Sequence, residues 1–152
     1  MGAWLAVTAA VRGGMPPHEF RVEPHVSGIT ALIDWIAACC RAAQVADECR
    51  LKMTLAIEEA VKNVIDHGFD ERPPPHLIRV RLEITSDRVA AEVLDNGAPF
   101  DPTAAPEPEL TLPLAQRRLG GLGIRLMRRI IDRVDYRRGE SGNILRLEKA
   151  RG

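Results

Sequence analysis

The feature that most constrains the fold is a change in hydrophobic periodicity near residue 70. Before it, apolar residues recur at helical spacing in two stretches, one from Ser27 to about Ala43 and one from Asp47 to His67 or Gly68. After it, residues 77–85 and 89–94 alternate between apolar and polar side chains. Alternation of this kind predicts an antiparallel hairpin with one buried face. The chain therefore combines helices and strands in separate segments.

Residue types at the ends of the two helical stretches predict where each helix begins and ends. Ser27 is a suitable N-cap for the first helix, and Gly68 is a usual stop for the second. A short strand is expected at residues 20–23, just before the first helix. The apolar residues expected to face the core are Ile29, Leu32, Ile33, Ile36 and Ala37 on the first helix and Leu51, Leu55, Ala56, Ala60 and Val64 on the second.

A proline-rich segment separates the first hairpin from a third helix and a second hairpin. Residues 101–119 hold four prolines and no sustained periodicity, which is typical of a functional lid or a disordered excursion. Helical spacing resumes after it, and residues 134–137 and 143–148 predict the terminal hairpin. This order predicts an α+β fold, a two-layer α/β sandwich with helices on one face of a mixed, mostly antiparallel sheet.

Length and charge limit the classes of function. A chain of 152 residues with 45% hydrophobic content suits one domain, here residues 16–152, with residues 1–15 as an N-terminal arm or edge strand. Lys and Arg (21) balance Asp and Glu (21), so nothing favours direct binding of nucleic acid or of a membrane. No stretch reaches the roughly 20 apolar residues of a membrane span. We expect a cytoplasmic protein whose three cysteines are reduced, mostly buried thiols.

The second helix carries a carboxylate and an amide four residues apart. Glu59 and Asn63 therefore share one helix face. A Glu can accept a proton from an attacking hydroxyl, and an Asn oxygen can bind a divalent metal without adding charge beside phosphates. Glu58 points about 100° away on an ideal helix and is the poorer base. Taken alone, such a pair is more often solvated helix surface.

Two glycine-containing segments add further candidates. Asp95 ends an apolar strand and, with Gly97, could accept from the exocyclic amine of adenine, although Asp-Asn-Gly is also an ordinary turn. Residues 120–123 read Gly-Gly-Leu-Gly at the start of a helix, where free N–H groups and the helix dipole favour an anion. They match neither the Walker nor the Rossmann pattern, and a flexible loop is the alternative.

The order of these segments resembles the GHKL (Bergerat-fold) ATP-binding domain. In that superfamily the corresponding parts are the N box and two glycine boxes that flank an ATP lid. Residues 59–69, Glu-Ala-Val-Lys-Asn-Val-Ile-Asp-His-Gly-Phe, are especially similar to the N box of the anti-sigma factor serine kinases, a small bacterial branch. Residues 95–102 and 120–124 are also similar to that branch. The resemblance covers roughly residues 20–150.

The resemblance implies a role for each matching residue near the base and the metal. Glu59 would be the general base that activates the substrate hydroxyl. Asn63 would hold Mg²⁺ at the phosphates of ATP. Asp95 would bind the adenine amino group, and Gly97 would give the base room.

The resemblance also implies how the phosphates are held. Gly121, Leu122 and Gly123 would lie at the phosphates, with the two glycines supplying backbone donors. Arg117 and Arg118, at the end of the lid, could neutralise the γ-phosphate in a closed state, although exposed lid arginines are more often solvated.

The function implied is a Mg·ATP-dependent protein serine/threonine kinase and anti-sigma factor. It would phosphorylate a STAS-type anti-sigma factor antagonist and sequester a sigma factor when not so engaged. A non-catalytic ATP-sensing switch of the same fold is the alternative. A detached histidine-kinase catalytic domain fits less well, since no helical segment with a phospho-accepting His is found. The resemblance leaves a homodimer open.

Overall fold

The structure, a computed structural model, describes residues 17–104 and 119–152. Three α-helices and five β-strands lie within these ranges. In chain order they are β1 (His18–Arg21), α1 (Val26–Ala42), α2 (Asp47–Asn63), β2 (Ile78–Ile84), β3 (Arg88–Asp95), α3 (Leu119–Ile130), β4 (Arg133–Gly139) and β5 (Gly142–Ala150). Both predicted hairpins, β2–β3 and β4–β5, are confirmed.

The five strands form one sheet in the order β1-β2-β3-β5-β4. All four pairings among these strands are antiparallel. The central pairing joins β3 to β5 and places Asp95 opposite Asn143. Because β3 and β5 are separated by α3 and β4 in the chain, this pairing brings together two segments that are distant in sequence.

Helices and sheet enclose one apolar core, which confirms the α+β class and its two layers. Alternate strand residues such as Val80, Leu82 and Leu147 are fully buried, and Leu32 of α1 and Met53 of α2 pack with them. Full burial of one such side chain contributes about 1.5–3 kcal/mol. The opposite face of the sheet is charged and cross-linked by ion pairs, as between Arg146 and Glu92 (3.2 Å).

The buried face of α2 differs from the one expected. Leu51 and Leu55 are 53% and 45% exposed, so their assignment to the core was wrong. Ala56 and Ala60 are buried as expected, and the other buried residues of α2 are Cys49, Met53, Ile57 and Val61. They form a continuous stripe at helical spacing. The two leucines lie on the other side of the helix, because small alanines permit close packing on the sheet.

The beginning of α1 also differs from the expectation. The helix begins at Val26, with His25 as the N-cap residue, so Ser27 lies inside its first turn. The Ser27 hydroxyl is hydrogen-bonded to Nδ1 of His25 (2.6 Å) instead of accepting from the backbone. His25 adopts extended backbone geometry, which ends the preceding segment. Ser27 therefore contacts the side chain of the N-cap residue and is not itself the N-cap.

The second helix ends in a wider turn. Residues Val64–Gly68 form one π-helical turn directly after Asn63, and the helical segment stops at Gly68 as expected. Single π turns insert one extra residue into a helix and are frequent at functional sites.

The proline-rich segment begins with a short 3₁₀ turn at Pro102–Ala104. Asp101 accepts the N–H of Thr103 (2.8 Å), and Arg128 of α3 donates to the Thr103 carbonyl. The rest of the expected lid, including Arg117 and Arg118, and the expected N-terminal arm lie outside the described residues. Within the described ranges, no helix combines the length and apolarity that crossing a membrane requires.

Candidate functional site

Glu59 of α2 lies against Gly123 of α3. A Cβ atom added to Gly123 of α3 would stand 2.0 Å from Oε2 of Glu59, so only glycine leaves room for this carboxylate. Glu59, near the end of α2, therefore lies against the beginning of α3.

Asn63 lies one turn beyond Glu59 as the last residue of α2. Both side chains are partly buried, and neither has a hydrogen-bond partner among residues 17–104 and 119–152. Polar groups in such surroundings remain available to a ligand. Glu58 is also partly buried but points about 100° away from Glu59 around the helix. The structure thus keeps Glu59 and Asn63 together on one face, as expected.

The turn after β3 is fastened to the end of the π turn. The Gly68 carbonyl accepts the N–H of Ala98 (2.8 Å). A Cβ on Gly97 would lie 2.6 Å from that same carbonyl oxygen and 2.9 Å from Oδ1 of Asp95. Gly97 is thus required by the packing of the chain on itself. This junction holds the carboxyl end of β3 beside the end of the Glu59 helix.

Asp95 is a buried carboxylate, only 3% exposed, at the end of β3. Its Oδ1 accepts from the Gly97 N–H and from Nδ2 of Asn143, both at 2.9 Å. Burial raises the pKa of Asp95, while the hydrogen bonds from Asn143 and Gly97 and the charge of Arg138 oppose the rise. Oδ2 has no partner in the part of the chain that the structure describes. One oxygen is fixed, and the other can accept a ligand hydrogen.

Asn143 and its neighbours are site residues that the sequence analysis missed. Asn143 donates to the Ala98 carbonyl (2.8 Å) and accepts from the Tyr136 hydroxyl (2.5 Å) and from Arg138 (3.2 Å). Arg138 also donates to the Gly97 carbonyl (2.8 Å). The available signal was a polar residue at an inward position of a strand. It could be interpreted only with the β3–β5 register known.

Asn96, the middle residue of the Asp-Asn-Gly turn, has a structural role. Its Oδ1 accepts the N–H of Leu77 (2.8 Å), and its Nδ2 donates to the Pro75 carbonyl (2.7 Å). These bonds tie the proline-rich connector to the end of β3. The Asn96 amide is thus committed at both ends, whereas Asp95 keeps Oδ2 without a partner among the described residues.

The glycine-rich segment lies inside α3, which begins at Leu119. Gly121 and Leu122 are within the first turn, where N–H groups have no intrahelical acceptor and can face an anion. Gly123 lies one residue further along. Its N–H is therefore positioned for the hydrogen bond to the carbonyl four residues earlier as long as the first turn is intact. Three glycines among the first five residues of α3 lower the stability of this end of the helix by about 3 kcal/mol relative to alanine. The turn can therefore open at low cost.

The comparisons with known proteins agree with this geometry. The family model described as "Histidine kinase-like ATPase domain" matches residues 22–149. The serine/threonine-protein kinase BtrW of Bordetella bronchiseptica is 37% identical over 98 residues, which cover 64% of this chain and 68% of that protein. The serine-protein kinase RsbW of Halalkalibacterium halodurans is 31% identical over 99 residues, 62% of this chain and 59% of that protein.

Solved structures share the fold. The RsbU and RsbW domains of Rv1364c from Mycobacterium tuberculosis match with a TM-score of 0.64 and 15% identity, over 91% of this chain and 34% of that one. The histidine kinase domain of a blue-light activated kinase from Erythrobacter litoralis matches with a TM-score of 0.52 and 16% identity, over 82% and 60%. The matched region thus spans about two thirds or less of each relative.

Proposed function

The chain belongs to the histidine kinase-like ATPase domain family, and from this premise we propose that it is an ATP-dependent protein serine/threonine kinase. We propose further that it is an anti-sigma regulatory factor whose substrate is a STAS-type anti-sigma factor antagonist. Two relatives named as serine or serine/threonine protein kinases support the reaction class. The resemblance of the boxes around Glu59, Asp95 and Gly121 to the anti-sigma factor branch supports the partner class.

The observation that carries the proposal is the position of Glu59 against Gly123. The carboxylate lies at the beginning of α3, where the first-turn N–H groups can bind phosphate. A carboxylate there can accept the proton of a serine or threonine hydroxyl as that oxygen attacks the γ-phosphate. Phosphoryl transfer depends mainly on positioning and charge neutralisation, so one correctly placed base and a phosphate-binding turn suffice.

Asp95 would bind the adenine of ATP. Its Oδ2 is an uncommitted hydrogen-bond acceptor, and the adenine 6-amino group is a donor. Both oxygens of Asp95 are then satisfied, which removes the cost of burying an unpaired carboxylate.

Asn63 is suited to hold Mg²⁺ together with the phosphates. Its amide oxygen is the type of ligand that Mg²⁺ accepts, and it has no competing partner among the described residues. Within those residues no group of three or more His, Cys, Asp or Glu side chains could hold a metal alone. We therefore expect Mg²⁺ to enter with the nucleotide. The ion would neutralise phosphate charge during transfer.

We place this reaction in the cytoplasm, where ATP is available. The three free cysteines suit a reducing compartment, and Cys40 and Cys49 are buried. Burial raises the pKa of Cys40 to about 11, so this thiol stays protonated and unreactive at neutral pH.

A pair of adjacent substitutions tests the assignment of the base. Radiolabelled ATP and a STAS-domain protein are incubated with Glu59→Gln and, as the matched control, with Glu58→Gln. We expect transfer to fall at least a hundredfold in the first variant and to stay within about twofold of wild type in the second. Equal transfer by Glu59→Gln and wild type would refute the role of Glu59.

Calorimetry with ATP separates the kinase from a non-catalytic switch of the same fold. Both proposals expect ATP to bind and Asp95→Asn to abolish binding. The kinase alone expects phosphate on the partner, lost in Glu59→Gln although ATP still binds. ATP binding and partner exchange without any labelled product would favour the switch.

A further inference from the structure

We infer that Asn143, supported by Arg138 and Tyr136, is the positioning residue through which Asp95 discriminates a 6-amino purine from a 6-oxo purine. The inference rests on the proposed nucleotide function and adds to it the residues that set base specificity. Asn143 is itself 94% buried, and it is one of two buried polar residues among those described, the other being Asp95.

The hydrogen bonds of Asn143 define its orientation. Its Nδ2 faces two acceptors, Oδ1 of Asp95 (2.9 Å) and the Ala98 carbonyl (2.8 Å). Its Oδ1 faces two donors, the Tyr136 hydroxyl (2.5 Å) and Nη1 of Arg138 (3.2 Å). A flipped amide would place acceptor against acceptor at Asp95 and Ala98 and donor against donor at Arg138, and only the Tyr136 hydroxyl could adapt, by accepting. The amide therefore presents an N–H to Asp95 and cannot present its oxygen.

This orientation fixes which oxygen of Asp95 remains for the ligand. Asn143 and the Gly97 N–H both donate to Oδ1, so the carboxylate cannot rotate without losing two bonds. Arg138 anchors the same loop through the Gly97 carbonyl (2.8 Å). Oδ2 is left as a fixed acceptor. An acceptor pairs with the 6-amino group of adenine and opposes the 6-oxo group of hypoxanthine or guanine.

The backbone is built to bring Asn143 to this position. Asn143 stands opposite Asp95 in the β3–β5 register. The preceding residue, Gly142, has φ +144°, and a Cβ on it would lie 1.9 Å from the Asp95 carbonyl oxygen. Only glycine permits this approach. The close contact of the two strands at this point is what lets a short amide reach the Asp95 carboxylate.

The experiment measures calorimetric Kd values for Mg·ATP and Mg·ITP, since inosine differs from adenosine in carrying a 6-oxo group. Asn143→Ala and Tyr136→Phe are compared with Arg137→Met, a neighbouring exposed arginine on β4 as the matched control. The ratio Kd(ITP)/Kd(ATP) is expected to fall about tenfold in Asn143→Ala and about threefold in Tyr136→Phe. Arg137→Met should keep the wild-type ratio.

Asn143→Asp gives a change that loss of structure would not produce. A second carboxylate at this position would face Oδ1 of Asp95 at hydrogen-bond distance, and two carboxylates so close share one proton. The shared proton lies between the two carboxylates and leaves Oδ2 of Asp95 an acceptor, but a weaker one. The ratio Kd(ITP)/Kd(ATP) should therefore fall at pH values where that proton is bound and rise again at higher pH, where it is lost. A general loosening of the site would not make the ratio depend on pH.

The outcomes separate this inference from the proposed function. If wild type binds neither nucleotide, the proposed function fails, and base selection with it. If wild type prefers ATP and the ratio is unchanged in Asn143→Ala, Tyr136→Phe and Asn143→Asp, the inference alone is overturned. Tyr136→Phe removes a single hydroxyl, so it remains informative even if the Asn143 variants do not fold.

Discussion

Replacing Gly123 by alanine should impair catalysis while leaving the fold almost unchanged. Alanine in place of glycine inside a helix contributes about 1 kcal/mol of stability. The new Cβ would lie 2.0 Å from Oε2 of Glu59, whereas ordinary contact begins at 3.4 Å, so the carboxylate must retreat by about 1.4 Å. A shift of a flexible side chain costs about 0.5–1.5 kcal/mol. The two terms nearly cancel, and the free energy of unfolding should change by less than about 1 kcal/mol.

The effect on phosphate transfer should be far larger. Misplacement of a reacting group by about 1 Å can cost roughly a hundredfold in rate. We expect kcat for phosphorylation of a STAS partner to fall by this factor, while the Kd for ATP changes less than about threefold, since the three atoms nearest to the new Cβ belong to Glu59 and none to Asp95. Urea unfolding, calorimetry and a single-turnover assay give the three quantities. Gly139→Ala is the control, because its Cβ would meet its nearest atom at 3.4 Å.

A double-mutant cycle tests whether Gly123→Ala acts through Glu59. The three nearest atoms to a Cβ on Gly123 all belong to Glu59. In a Glu59→Ala background, Gly123→Ala should therefore stabilise the protein by the full helix term of about 1 kcal/mol and have no further effect on transfer. If Gly123→Ala in the wild-type background keeps kcat within twofold, Glu59 is not the base at this position.

Two further predictions concern stability. Because burial raises the pKa of Asp95 above its ordinary value of 3.8, the ionised carboxylate destabilises the fold at any pH above the raised value and not below 3.8. Asp95→Asn should thus raise Tm at pH 7 and less so at pH 4, while losing ATP; a lower Tm at pH 7 would contradict this. Leu51→Gln and Leu55→Gln should cost less than about 0.5 kcal/mol each by urea unfolding, whereas Met53→Ala, at a fully buried position, should cost about 2–5 kcal/mol. Similar losses of unfolding free energy in the three variants would contradict the observed orientation of α2, in which Met53 faces the core and Leu51 and Leu55 do not.

Local patterns predicted most of the elements, because their causes are local. The alternation at residues 77–94 specifies a hairpin within one stretch of chain, and β2–β3 forms there. Which face of α2 is buried could not be predicted from the local sequence. Its buried stripe includes Ala56 and Ala60, which are selected by the close approach of the sheet, while the more apolar Leu51 and Leu55 are exposed. Hydrophobicity alone could not distinguish the two faces.

The residues of the candidate site likewise differ in whether the local sequence could predict them. Glu59, Asn63 and Asp95 belong to short motifs and could be identified from residue type and order. Asn143 could not, because its partner lies 48 residues earlier and the two meet only through the β3–β5 register. The role of Gly123 as the neighbour of Glu59 likewise depends on how α2 and α3 pack.

These contacts make the two ends of the site mechanically different. At the proposed adenine end, the Gly68 carbonyl, the Gly97 turn and the Asn143 amide join the π turn, β3 and β5 through hydrogen bonds of 2.8–2.9 Å. At the proposed phosphate end, Glu59 lies against Gly123, where the first five residues of α3 include three glycines. In the proposed function, base recognition therefore depends on the sheet, whereas the geometry of transfer depends on the conformation that the beginning of α3 adopts when phosphate binds. Substitutions at the first end should change Kd, and those at the second should change kcat.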